Sequence, residues 1–352
     1  MRKAVKRLNV GYKSLKLRNF TCFKNASFDF VPGINVLAGE NGTGKTHVMK
    51  VLYSWLLSQS VTETGLVRTL ETVMESKQGA ESNLVRHGTR DGKALLEGTY
   101  GERSWNEVLV TQKPGMFARG HVTSIERPER PVFIPSTDMI GHLKGFTNLW
   151  DEFSLDFDYT YRDICHLLGI QKDAPSPQYH DILRQLEQDV LKGKVEYDRS
   201  QERFFLVRGE QRQPMALVAE GLRKIATLLV LVRNGSIKHG TTLFWDEPEV
   251  NLNPSLMDEV AKALWVLVNN GVQVFVASHS YLILREIEVQ AQTGDNLRYF
   301  ALEKLESEVK VHPTSNYLGL KPNLIEDQYG SLYDRSIEKR IAEVENAEPR
   351  LD

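Results

Sequence analysis

The sequence predicts an α/β fold: a mainly parallel sheet flanked by helices, with an N-terminal antiparallel β subdomain and a mixed α/β insertion. Three observations carry this. Short segments rich in β-branched and aromatic residues open the chain, helix and strand patterns alternate after Gly221, and a glycine-rich turn near residue 40 joins a strand to an amphipathic helix.

In chain order, "YKSLKLRNF", "ASFDF" and "INVLA" between residues 12 and 38 read as strands, with "VPG" as a turn. A helix is predicted at about 44–58, where Val48, Val51, Leu52, Trp55 and Leu56 make one face apolar. A helix at about 63–77 precedes "KALLEGTY" and "WNEVLVT", which look like paired strands; "QKPGMFARGH" reads as an exposed loop and "PVFIP" as a short buried strand. Residues 146–192 look helical, and "VEYDRSQERFFLVRGEQRQPMALV" looks like antiparallel strands. Beyond Gly221, a helix (222–234) leads to "TTLFWD", and a second (254–270) leads to "VQVFVAS" and a further helix. The tail carries Ile337, Ile341 and Val344 on one helical face, and such a tail is expected to pack on its own domain. No internal repeat, low-complexity tract or sustained heptad pattern occurs.

Composition narrows the function classes. The 352 residues are 41% hydrophobic and 26% charged with a net charge of −2, so no global basic field points to nucleic acid. Cys22 and Cys165 are too few for a disulfide framework or a zinc site. The basic N-terminus lacks the apolar stretch of a signal peptide, and the longest strongly apolar run, "IATLLVLV", falls far short of the roughly 20 residues needed to span a bilayer. A soluble, cytoplasmic protein with no membrane partner is expected.

Three short motifs carry chemistry. "GENGTGKT" matches G-x-x-x-x-G-K-[ST], a pattern whose chance occurrence in a chain this long is on the order of 1%. Its glycines, Gly42 and Gly44 among them, let backbone N–H groups converge on one anion. Lys45 then reaches the β/γ-phosphates, Thr46 offers a hydroxyl to Mg²⁺, and the following helix directs its positive end at the phosphates. "TLFWDEPEVNLNP" is a buried strand delivering Asp246 and Glu247 at its C-terminal edge. Asp246 suits the Mg²⁺ shell, Glu247 suits orienting and polarising an attacking water, and Asn253 and Pro254 mark a helix start. "VQVFVASHS" ends in Ser278-His279. His279 follows Asp246 by 33 residues, a spacing that permits adjacent strands and places the imidazole near a γ-phosphate.

In this order the motifs resemble the ATP-binding-cassette class of P-loop ATPases. The opening "LKLRNFTCFKNASFDFVPGINVLAGENGTGKT" resembles the SMC/RecF/OLD branch, which begins with a strand bearing a pair like Arg18-Asn19; "EGLRK…FWDEPEVNLNP…ASHS" is similar to AAA-15/AAA-21-type, OLD-like ATPases. The resemblance covers residues 12–58 and 215–285. It implies a single ATPase domain with core halves 12–58 and 215–320, an inserted lid region at about 60–214 and a helical tail at 330–352. It implies ATP and Mg²⁺ as cofactors, held by Arg18, Asn19, Asn41, Gly42, Gly44, Lys45, Thr46 and Asp246, with Glu247 and His279 catalytic. Two subunits would sandwich two nucleotides, each completed by the Ala219–Gly221 helix start of the other chain. Ala219 stands where the family has a serine, a loss that Arg223 or Lys224 is expected to offset. No glutamine occupies the Q-loop position, leaving Ser136 or Asp138 to stand in.

Neither a long coiled coil nor the TOPRIM nuclease of OLD proteins is expected, and the Asp156-Phe157-Asp158 cluster reads as a solvated loop. The resemblance therefore implies an ATP-driven switch acting on a separate effector, a nuclease or toxin encoded nearby, in antiphage defence. The alternative is a RecF/SMC-like DNA clamp for repair or recombination, using Arg86, His87, Arg90, Lys93 and the arginines of "ERPERP"; a third reading is an ATP-assembled scaffold.

Overall fold

The computed structural model describes residues 11–61, 65–74, 83–110, 127–153, 155, 157–172, 175–292 and 296–347. The loop expected at "QKPGMFARGH" lies outside them.

The chain opens with β1 (Tyr12–Phe20), β2 (Phe23–Asp29) and β3 (Ile34–Gly39), followed by α1 (Lys45–Ser60) and α2 (Leu66–Val73). Next come β4 (Lys93–Tyr100), β5 (Arg103–Val110), β6 (Val132–Ile134), α3 (Phe146–Phe153), α4 (Tyr159–Leu168) and α5 (His180–Gln185). A small antiparallel sheet, β7 (Lys194–Asp198), β8 (Arg203–Arg208) and β9 (Gln211–Pro214), leads into α6 (Glu220–Arg233). The remainder is β10 (Thr242–Asp246), α7 (Pro254–Asn269), β11 (Gln273–Ser278), α8 (Tyr281–Val289), β12 (Leu297–Lys304), β13 (Val309–Thr314) and α9 (Leu324–Ala347).

The central sheet has six strands in the order β13-β12-β3-β11-β10-β6, parallel throughout except at β13. The N-terminal strands form a second sheet, β2-β1-β4-β5, antiparallel throughout. The stretch between residues 60 and 214 is thus distributed: β4 and β5 complete the N-terminal sheet, β6 joins the central sheet, and β7–β9 stand apart.

Alternation along the buried strands sorts side chains between two cores. Leu37, Phe133, Phe244, Phe275 and Phe300 face α1 and the N-terminal sheet, whereas Val36, Ile134, Leu243, Trp245, Val274 and Val276 face α4 and α6–α8. Strand register places Phe133, Phe244 and Phe275 side by side, with ring centroids 6.1 and 5.1 Å apart. Helix α1 is buried on more than the one apolar face its pattern predicts. Tyr53, Ser54 and Ser58 are covered too, because α1 lies between the two sheets.

A buried glutamine joins the sheets. Gln273 of β11 accepts from the Tyr12 N–H at 2.7 Å, and its amide donates to the Tyr12 and Val31 carbonyls at 2.9 and 2.8 Å. The tail departs from expectation. α9 starts at Leu324, and Tyr329, Leu332, Tyr333, Ile337 and Ile341 are exposed, with Tyr329 reaching only as far as the Tyr281 ring. Its sequence has an apolar stripe, but among the described residues that stripe is exposed; the Val344 side chain is outside the described set.

Gln273→Leu keeps the side-chain bulk and removes all three bonds. It should lower the unfolding free energy by about 3 kcal/mol, since buried backbone groups lose their partners. Urea denaturation should show a lower midpoint at unchanged slope.

Candidate functional site

β3 ends at Gly39, and the chain turns through left-handed backbone before α1. Gly42 has φ 78° and Gly44 φ 87°. A Cβ on Gly44 would sit 2.6 Å from the Cys22 Sγ and 2.8 Å from the Phe23 ring, so the β1–β2 turn forbids a side chain there. A Cβ on Gly42 would meet nothing, and Asn41 and Gly42 are exposed. The loop is therefore braced on one side and open on the other. No side chain caps α1, so its first N–H groups are left for an external acceptor. Lys45 folds back and donates to the Gly39 and Glu40 carbonyls at 2.8 and 2.9 Å. Burial pulls its ammonium below the usual lysine range, against the carboxylates of Glu247, Asp246, Glu249 and Glu40.

The parallel order β3-β11-β10 brings three strand ends to this loop. Thr46 Oγ1 donates to Asp246 Oδ2 at 2.8 Å. Burial raises the Asp246 carboxyl to about 6; the Thr46 bond and the Lys50 and Lys45 charges pull it down, while Glu247 pushes it up. A hydroxyl and a carboxylate beside an anion-accepting loop are the hard oxygen donors that Mg²⁺ takes together with nucleotide phosphates, so these residues fit that ion. Bound there, the ion would supply positive charge to phosphate oxygens.

Glu247 adopts φ 46°, uncommon for a residue with a side chain. Its N–H still pairs with the Ala277 carbonyl at 2.9 Å, extending the β10–β11 ladder by one residue. The left-handed step turns the side chain to His279 at the end of β11, with Oε1 3.1 Å from Nδ1. A carboxylate so placed can accept a proton from water, and the imidazole can orient it. Asn253 caps α7 by accepting from the Ser255 N–H at 3.1 Å, with Pro254 as its first residue, as the sequence predicts.

At the start of α6, Ala219 is exposed and provides no side-chain cap. Gly221 is buried: a Cβ would lie 3.1 Å from the Asn251 carbonyl and 3.2 Å from Leu252, so the glycine allows the helix to close on the turn after β10. The two cations expected to replace the missing hydroxyl are both engaged within the chain, which corrects that expectation. Arg223 donates through Nε to Asp138 Oδ2 at 2.6 Å and through Nη1 to the Val218 carbonyl at 3.0 Å. Lys224, almost fully buried, donates to the Glu247 carbonyl at 3.1 Å. Asp138 is likewise unsuited to replace the Q-loop glutamine, because it is buried under Arg223 and Thr227; Ser136 keeps partial exposure.

Other candidates divide. Arg18 is exposed on the solvent side of the N-terminal sheet, and Asn19, at φ 53°, accepts the Arg86 N–H through its carbonyl. The residues of that region that abut the loop are Thr21, whose hydroxyl lies 3.1 Å from His47 Nδ1, and Cys22, 3.6 Å from the Thr43 carbonyl. The D-x-D cluster is not a solvated loop at Asp158. That residue caps α4 through the Thr160 N–H at 2.8 Å and pairs with Lys50 of α1 at 2.7 Å; Asp156 lies outside the described residues. Of the basic residues, Arg130 is bound to Asp163, while Arg90 and Lys93 are exposed.

Sequence reasoning missed Lys224 as an internal strut, and also Glu249 and Ser278. A signal existed for Lys224, which shares the buried helical face of Leu228 and Leu231, where a lysine needs a partner. Glu249 offered none, since its partners come from another strand.

Comparison with known proteins gives the family and the fold. A family described as "AAA domain" matches residues 14–88, and one described as "AAA domain, putative AbiEii toxin, Type IV TA system" matches residues 93–285. The DNA replication and repair protein RecF of Listeria monocytogenes serotype 4b is 32% identical over 119 residues, 33% of this chain and 31% of that protein. RecF of Salinibacter ruber is 41% identical over 49 residues, 14% of this chain and 12% of that protein. The chain thus matches about a third or less of the length of these relatives. Its fold is that of an SMC head bound to the C-winged helix domain of ScpA (TM-score 0.58, 12% identity, 88% of this chain and 100% of that one). The SMC head domain from Thermotoga maritima is similar (TM-score 0.53, 12% identity, 86% and 99%).

The raised Asp246 carboxyl gives a stability test without ligand. A folded-state value near 6 lies above the unfolded value near 3.9, so the folded state binds the extra proton and wild-type stability falls as pH rises through that window. Asp246→Asn should therefore stabilise the ligand-free protein by about 1–2 kcal/mol at pH 8, after allowing for residual solvent access, with the gap closing toward pH 4. Paired thermal melts at the two pH values check this; ATP hydrolysis by the variant should fall at least about 100-fold.

Proposed function

This chain belongs to the AAA-21 family and is an SMC/RecF-like, ABC-type P-loop ATPase, and on that premise we propose that it is an ATP-gated switch that closes as a head-to-tail homodimer around two Mg²⁺-bound nucleotides. One observation carries this reading. The hydrolytic edge gathers Lys45, Thr46 with Asp246, and Glu247 with His279, whereas the uncapped start of α6 opens to the surface at Ala219. A helix N-terminus with unpaired N–H groups is a phosphate-binding end. In the switch it would be filled by the γ-phosphate on a second copy.

Within each site the roles follow from position. Asn41, Gly42 and Gly44 shape the loop, and Lys45 leaves the Gly39 and Glu40 carbonyls for phosphate oxygens. Thr46 and Asp246 would hold the cation. Glu247 orients the attacking water and accepts its proton, and His279 holds the Glu247 carboxylate from the neighbouring strand.

The switch would control a separate effector in antiphage defence. Support comes from the family description, which names a toxin of a toxin–antitoxin system, and from the exposed α9, a surface on which an effector could read the state of the dimer. A second reading, a DNA clamp, is favoured by the RecF matches and by exposed Arg90 and Lys93. It requires binding that weakens steeply with salt.

Light scattering on Glu247→Gln tests the switch. The variant should be monomeric alone and dimeric with Mg²⁺ and ATP; one mass under both conditions overturns the sandwich. Ala219→Ser adds a hydroxyl at the open helix end. It should tighten the ATP-bound dimer about 10-fold or more, the effect of one hydrogen bond to a charged group, while also raising monomer stability by about 1 kcal/mol as an N-cap.

A further inference from the structure

The turn after β10 carries a second acid, Glu249, which is only 7% exposed. A carboxylate this deeply buried is costly unless its oxygens are satisfied. One oxygen is. Oε1 accepts the Ser278 hydroxyl at 2.6 Å and the His279 backbone N–H at 3.3 Å. The Ser278 hydroxyl in turn accepts the Ser280 N–H at 3.0 Å. Glu249 thus closes the turn at the end of β11 through three linked bonds. The other oxygen, Oε2, is buried and has no hydrogen-bond partner among the described residues.

The consequence falls on His279. Its side chain is 42% exposed, so its place depends strongly on where the backbone at Ser278–His279 is held. The β10–β11 ladder ends at the Glu247 N–H and the Ala277 carbonyl, one residue short of Ser278. Beyond that point the Glu249 carboxylate takes over on the β10 side, while Ser278 still pairs with Ala38 of β3 on the other. With the backbone so fixed, His279 Nδ1 lies 3.1 Å from Glu247 Oε1 and 3.9 Å from Glu249 Oε1. Glu247 itself stands on a left-handed residue whose carbonyl is gripped by Lys224. Both partners of the reactive pair are therefore set from behind by buried ionisable side chains.

We propose that Glu249 is a positioning residue for ATP hydrolysis: by accepting the Ser278 hydroxyl and the His279 N–H, it fixes the imidazole against Glu247. The proposal rests on the reading of Glu247 and His279 as the working pair. Glutamine at position 249 can accept the same two bonds through its amide oxygen, so it should preserve the placement; alanine cannot.

The test uses the full chain, with steady-state hydrolysis of ATP in Mg²⁺ and fluorescence titration with mant-ATP. Glu249→Ala should lower kcat about 10- to 100-fold, the scale of a misplaced reacting group, with mant-ATP affinity unchanged within about twofold. Glu249→Gln should keep kcat within about threefold of wild type. In a His279→Ala background, Glu249→Ala should cause little further loss, because the two act through one interaction. An equal fall in that background, or equal losses for alanine and glutamine, overturns the proposal and leaves Glu249 a folding residue. Wild-type kcat in His279→Ala refutes the pair and with it the route through the imidazole. A fall in His279→Ala with none in Glu249→Ala refutes only the role of Glu249.

Discussion

The parallel pairing of β11 with β3 on one side and β10 on the other is the constraint on which the rest depends. Parallel strands start at one edge and end at the other, so three adjacent ones must deliver their C-terminal residues together. Here those residues are Gly39, Asp246 and Ser278. Register refines the placement, since Ala277 pairs with Asp246 and with Leu37, and a slip of one residue would move every side chain to the other face. The alternation of Phe244 and Trp245, or Phe275 and Val276, between two cores makes such a slip prohibitive. Packing on both faces of the sheet thus fixes the chemistry at its edge. Gln273 extends this control to the N-terminal sheet, whose β1–β2 turn braces Gly44.

Helix α6 illustrates how the side chains of a first turn can be taken up within the chain while its leading N–H groups stay uncapped. Arg223 is spent on Asp138, Lys224 on the Glu247 carbonyl, and Gly221 on close contact with Asn251 and Leu252. These contacts tie α6 to the segment after β6 and to the turn after β10. The start of α6 and the backbone of Glu247 are thus joined directly by the Lys224 side chain. A buried lysine is a stiff element for this purpose, because its ammonium cannot leave the carbonyl without being stranded in low dielectric.

The parts of this arrangement legible in the sequence were those written in local pattern. The glycine spacing with Lys45 and Thr46, the buried strand ending in Asp246-Glu247, and the helix start at Asn253-Pro254 each need only neighbouring residues to be read. The pairing of β1 with β4 was not legible, since more than 70 residues separate Leu17 from its partner Leu96 and either strand alone looks like an ordinary half-buried one. The same holds for side chains that function at a distance. Asp158 looked like a loop acid until α1 brought Lys50 beside it, and Glu249 looked like a turn residue until β11 supplied its partners. The tail fails for the opposite reason. Its apolar stripe is real, but a stripe specifies only that a helix can bury a face, and nothing among the described residues covers α9 beyond the Tyr281 contact.

The side chains of this edge pair with one another. Lys45 holds two carbonyls of its own loop, Thr46 holds Asp246, and Glu247 faces His279, so each group expected to meet nucleotide, cation or water already has a partner. Binding must exchange these contacts rather than add to them, which makes the net gain smaller than a count of new bonds suggests. The partners are unequal, however. Lys45 sits below its usual range and Asp246 well above its own, both chiefly through burial, so the internal pairings leave the charged forms of both groups under-stabilised. A polyanion beside Lys45 and a divalent cation beside Asp246 would relieve both at once, each restoring the charge that burial disfavours. In the proposed switch this edge would therefore favour the two ligands together, as a phosphate-bound cation, over either alone.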